Sequence, residues 1–140
     1  YGAAVFASIG SGVAASVVSI FLMCRLMGLS HVNYVTLLPK SITTAIGMGV
    51  SEEAGGIVTL TVMSIILTGV IGNVLGELVF RITGVRHPIA RGLALGTSAH
   101  AIGTAKALEL GEIEGAMSSL SIAVAGLMTV IAVPIAANLI

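Results

Sequence analysis

Two short stretches of this chain carry nearly all of its usable chemistry. Gly96-Thr-Ser-Ala-His-Ala-Ile-Gly-Thr-Ala-Lys106 sets hydroxyls, an imidazole and glycines inside an otherwise oily sequence. Written as a helix, Gly96, His100 and Gly103 fall at i, i+4 and i+7 with Thr97 and Thr104 beside them, so one face is small and polar. Pro39-Lys40-Ser41-Ile42-Thr43-Thr44 is the second stretch, and Lys40, Thr43, Thr44 and Gly47 again share one helical face. An interrupted helix exposes backbone N–H groups and the positive end of its dipole, which suits an anion. These residue types therefore suggest a site for a small carboxylate. Lys40 would supply the charge, Ser41, Thr43, Thr44, Ser98 and Thr104 neutral hydrogen bonds, and His100 a hydrogen bond or a titratable proton. A blander reading stands beside it: hydroxyls in apolar helices commonly bond to backbone, a lysine can snorkel to the interface, and a carbonyl can satisfy a buried histidine.

The surroundings of these stretches point to a membrane. Of the 140 residues 56% are hydrophobic and only 9% charged, far from the roughly 25% charged of soluble proteins. Uncharged runs at Ala3–Cys24, Ala54–Gly76 and Gly115–Ile140 each reach the roughly 20 residues that cross a bilayer as helix. None has the basic start, short apolar core and small-residue cleavage site of a signal peptide. The expectation is an all-α polytopic bundle, a single integral membrane domain over residues 1–140 with about five membrane segments. The chain begins at Tyr1 in an apolar run, which suggests a longer parent.

Two of the five segments look incomplete as crossings. Segment 34–50 contains Pro39, which removes a backbone donor, and Gly47 and Gly49 loosen its far end. Segment 88–108 has only fourteen uncharged residues, Gly92 to Ala105. Both are expected to be broken or re-entrant. The remaining segments carry small residues for close helix contact: Ser8, Gly12 and Ser16 in the first, and Thr68, Gly72 and Gly76 in the third. An offset of 57 residues aligns Ser41 with Ser98, Glu52 with Glu109, Ser64-Ile65 with Ser121-Ile122 and Gly69 with Gly126. The identities are few for so biased a composition, but the order of broken segment, acidic loop and long helix also recurs. Full crossings would make the two units parallel, whereas re-entrant segments would change that parity.

The basic loop with Arg81, Arg86 and Arg91 is expected on the cytoplasmic side. If all five segments cross, Arg25 joins that side, while the loops with Glu52 and Glu53 and with Lys106, Glu109, Glu112 and Glu114 lie outside. Zero net charge argues against a nucleic-acid partner. The lone Cys24 reads as packing, and the spacing of the three histidines gives no metal site. Neither a nucleophile motif nor a phosphate loop is present, so enzyme chemistry and a cofactor have no support.

Leu38-Pro-Lys-Ser-Ile-Thr-Thr-Ala-Ile-Gly-Met-Gly-Val-Ser-Glu-Glu-Ala-Gly-Gly-Ile57 and the stretch from Arg91 to Ser118 resemble the LrgB/CidB family of bacterial membrane proteins, which includes plant plastid glycolate/glycerate translocators. The similarity runs through nearly the whole chain. It implies a multi-pass protein of the bacterial cytoplasmic membrane, linked to murein hydrolase regulation and autolysis, with relatives that move pyruvate, glycolate or glycerate. It also implies further N-terminal segments and a small LrgA/CidA-like membrane partner, while the small-residue helix faces suggest a homo-oligomer. Ala45 stands where the family commonly has proline. Two readings follow: a carrier of small monocarboxylates, with proton coupling as an open question, and a holin- or antiholin-like assembly acting on murein hydrolase export.

Overall fold

The computed structural model describes residues 2–140, which are helical with short connections. Three helices are long and apolar enough to span a bilayer: α1 (Gly2–Met27), α4 (Val58–Thr83) and α6 (Glu112–Ala136), which a short 3₁₀ turn, Ala137–Leu139, extends. Between them lie α2 (His31–Leu37), α3 (Thr44–Ala54) and α5 (Pro88–Leu110). At 1.5 Å per residue, α3 is about 16 Å long, roughly half a hydrocarbon core.

The first interruption follows from Pro39. Without its N–H it cannot continue α2, so the chain turns through residues 38–43 and restarts at Thr43, the N-cap of α3. The second arm then returns alongside the first. Gly56, just past α3, comes back to Thr36 of α2, where an added Cβ would lie 3.1 Å from the Thr36 Cα. Thr36 Oγ1 accepts from Ile57 N at 2.8 Å, and the Thr36 carbonyl accepts from Thr61 Oγ1 at 2.8 Å. Segment 34–50 therefore enters and leaves on one side.

α5 does the same from the opposite side. It breaks at His100, whose backbone (φ 44°, ψ −136°) is far from helical, into arms 88–99 and 101–110. Both arms descend along α4. Ala99 lies on Gly72, Leu95 on Gly76 and Arg91 over the Phe80 ring at 5.5 Å, while Ile102 accepts from Asn73 Nδ2 at 2.8 Å and Lys106 pairs with Glu77 at 3.7 Å. Gly103 is where the arms touch, since a Cβ there would sit 2.7 Å from the Ala99 Cβ. The expectation that 34–50 and 88–108 are broken or re-entrant is met, and a count of five full crossings is replaced by three crossings and two hairpins. The loop with Lys106, Glu109, Glu112 and Glu114 consequently shares its end of the bundle with Arg81, Arg86 and Arg91, and Arg25 lies at the other end.

That change of parity makes the internal repeat an inverted one. The 57-residue offset carries α2 and α3 onto the two arms of α5 and α4 onto α6. α4 runs toward the basic loop, whereas α6 runs away from it. Tyr34 in α2 is fully buried and donates to the Ala136 carbonyl at 2.7 Å, which fixes the far end of α6 beside the first hairpin. Equivalent contacts recur. Thr61 and its counterpart Ser118 are both fully buried, and each bonds the returning arm of the preceding hairpin, Ser51 at 2.7 Å and Thr104 at 2.7 Å. α1 packs outside the repeat, its Ile9 and Val13 clustered with Leu93 and Ala125.

Candidate functional site

Because the hairpins enter from opposite sides, their tips meet at mid-depth. Ser41 and Ile42 of the first tip and Thr97 of the second line one small cavity with Val13, Ala125 and Thr129. In front of it opens a cleft of about 830 Å³. Its walls are the Ser8, Ser11, Ser16 and Ser19 face of α1, Thr68 and Gly72 of α4, and Ala94, Thr97 and Ser98 on the first arm of α5. Lys40 and Ser41 reach it from the first tip.

Among the described residues Lys40 is the only lysine or arginine lining this cleft. Its Nζ donates to Ser41 Oγ at 3.0 Å, and no carboxylate lies within ion-pair distance of it among the described residues. Two of its three N–H groups remain for another acceptor. Ser41 Oγ also accepts from Ser16 Oγ at 3.3 Å. Since Ser41 accepts both bonds, its own proton is uncommitted. The ammonium and the hydroxyl proton thus present free donors side by side on the cleft wall. A partly buried charge with no ion-pair partner is costly inside a membrane segment.

The half-helix starts do not themselves line the cleft. The first turn of α3 starts at Thr43 with no side-chain cap, and the second arm of α5 starts at residue 101. By helix geometry both leave their first N–H groups and positive dipole ends directed at the tips.

The other residues expected at the site have different places. His100 is buried, and its Nε2 lies 2.7 Å from the Ile65 carbonyl. A carbonyl only accepts, so Nε2 carries the hydrogen and ties the second tip to α4. Thr104 bonds the His100 carbonyl at 3.1 Å and Ser118. Neither His100 nor Thr104 lines the cleft, and neither do Thr43 and Thr44; Lys40, Ser41 and Ser98 do. Among the small residues, Gly12 lies against Thr97, Gly72 against Ala99 and Gly76 against Leu95. Ser8 Oγ bonds back to the Ala4 carbonyl and Thr68 Oγ1 to the Ser64 carbonyl, so these two line the cleft without bridging helices. Thr97, on the polar face read from the sequence but not among the expected ligands, lines the cleft, and so do Ser11 and Ser19, which were not expected there. A signal existed: Ser8, Ser11, Ser16 and Ser19 lie along one stripe of α1.

Comparison with known proteins bears on what this cleft serves. The model of the LrgB-like family matches residues 1–139. A holin-like protein CidB of Staphylococcus epidermidis is 44% identical over 131 residues, covering 94% of this chain and 57% of that protein. An antiholin-like protein LrgB of Bacillus cereus is 40% identical over 130 residues, covering 93% and 56%. The chain thus spans little more than half the length of the curated relatives it matches. No solved structure matches it.

Proposed function

Because the chain belongs to the LrgB-like family, we propose that it is part of a bacterial cytoplasmic-membrane protein that changes membrane permeability, and that its permeant is a small monocarboxylate of the pyruvate, glycolate or glycerate class. The observation that carries the second half is Lys40, a cation without a counterion among the described residues, beside a free hydroxyl proton in the cleft at the tip of the first hairpin. The inverted pairing of hairpin and helix supports a carrier, since rocking one unit against the other would expose the cleft to each side in turn. A coupled proton has no assigned carrier group, because His100 is engaged with Ile65. The charge of the basic loop 81–91 supports a cytoplasmic side for it. The effect on murein hydrolases and autolysis would then follow from solute movement.

The second reading rests on the relatives' names. Holin-like and antiholin-like proteins suggest an oligomer, with or without a small LrgA/CidA-like partner, that acts on murein hydrolase export. The names favour this reading and the cleft favours the first. Liposomes holding the full-length protein separate them. Uptake of labelled pyruvate or glycolate that saturates and is competed by other monocarboxylates supports the carrier. Nonsaturable leakage of unrelated solutes supports the assembly and sinks the carrier.

A further inference from the structure

The two tips are equivalent under the offset that relates the two units: Lys40 corresponds to Thr97 and Ser41 to Ser98. All four line the one cleft. Equivalent positions of an inverted repeat thus converge on a single cavity, but they carry different charge. The first tip has an ammonium and an uncommitted hydroxyl proton. The second has neither. Thr97 Oγ1 donates to the Leu93 carbonyl, and Ser98 Oγ donates to the Ala94 carbonyl at 2.6 Å. What these hydroxyls present to a ligand is lone pairs, which accept from a donor and repel a second carboxylate.

We propose that this charge difference between equivalent tips sets the charge of the ligand: Lys40 and Ser41 take one carboxylate, and Thr97 and Ser98 take the uncharged remainder of the same molecule and exclude dicarboxylates. The inference rests on the carboxylate reading above and adds Thr97 as a specificity-determining residue. Thr97 packs against Gly12 of α1 and also lines the cleft, so a longer side chain at 97 has the cleft as its open direction.

The test uses the full-length protein in detergent, with glycolate and succinate titrated calorimetrically. The wild type is expected to prefer glycolate, and Thr97→Lys to gain about tenfold or more in succinate affinity, the scale of one charge-assisted hydrogen bond. Lys40→Thr is expected to lose glycolate binding, and the double swap Lys40→Thr with Thr97→Lys to regain it. Because Thr97 is buried and its lysine variant could misfold, Ser98→Lys at the exposed neighbouring position provides a second route to the same gain. Folded Thr97→Lys or Ser98→Lys protein that keeps the wild-type preference overturns the inference alone. A folded wild type that binds neither acid overturns the carboxylate reading and this inference with it.

Discussion

Replacing Lys40 by Met removes the only Lys or Arg charge that the described residues bring to the cleft while keeping an unbranched side chain. Its consequences for folding and for function are expected to separate. On the folding side, the Lys40 ammonium makes one hydrogen bond, to Ser41, and Ser41 retains Ser16 as partner after the change. Removing an unpaired charge from a membrane-embedded position is favourable, on a scale of about 2.5–3.5 kcal/mol at the bilayer centre. The variant should therefore melt in detergent no lower than the wild type. On the functional side, a hydrogen bond to a charged group contributes about 1.5–3 kcal/mol, or about 10- to 150-fold in affinity. Uptake of labelled glycolate into liposomes should show KM raised by that factor, with Ser19→Ala, whose hydroxyl is spent on the Ser16 carbonyl, changed far less. Lys40→Met protein that is folded, inserted and transports with wild-type KM would refute the assignment of Lys40 as the anion's partner.

Other expectations concern the frame that holds the tips. Gly96 lies against α6, where a Cβ would meet Ser118 and Ser121, so Gly96→Val should cost at least the roughly 1–3 kcal/mol of overpacking and lower the melting temperature. Thr61→Val removes the hydroxyl that bridges Thr36 and Ser51; at about 0.6 and at most about 1.7 kcal/mol per hydrogen bond in a membrane protein, a loss of roughly 1–2 kcal/mol is expected. At position 100, Gly should be more stable than Ala by about 1 kcal/mol, because both lose the bond to Ile65 but only Gly relieves the φ of 44°. In a continuous helix the order would reverse, so comparing the melting of His100→Gly and His100→Ala tests the break directly.

Much of this architecture is legible in the sequence because its causes are local. Pro39 ends α2 by removing a donor, and fourteen uncharged residues between Arg91 and Lys106 are too few for an easy crossing. What local signals do not carry is direction. His100 breaks α5 without a proline, and only the packing of Gly103 on Ala99 and of both arms on α4 shows that the chain returns. That turn decides which loops share a side, and with it the inverted sense of the repeat. The same limit applies to the cleft. His100 and Thr104 have the composition of a binding face, yet their hydrogen bonds are spent on Ile65 and Ser118. Thr97, one position from Ser98, faces the cleft through its place on the first arm. Spacing along a helix identifies residues that share a face; it does not identify what that face meets.

The most direct test of the account is the sidedness of three positions. In a Cys24→Ala background, single cysteines at Arg86, Glu112 and Glu53 are labelled in sealed vesicles with a membrane-impermeant maleimide. Two oppositely directed hairpins predict that Arg86→Cys and Glu112→Cys react from the same side and Glu53→Cys from the other. Reaction of Arg86→Cys and Glu112→Cys from opposite sides would mean that α5 crosses the membrane, and the meeting of the two tips, with the cleft they form, would have to be abandoned.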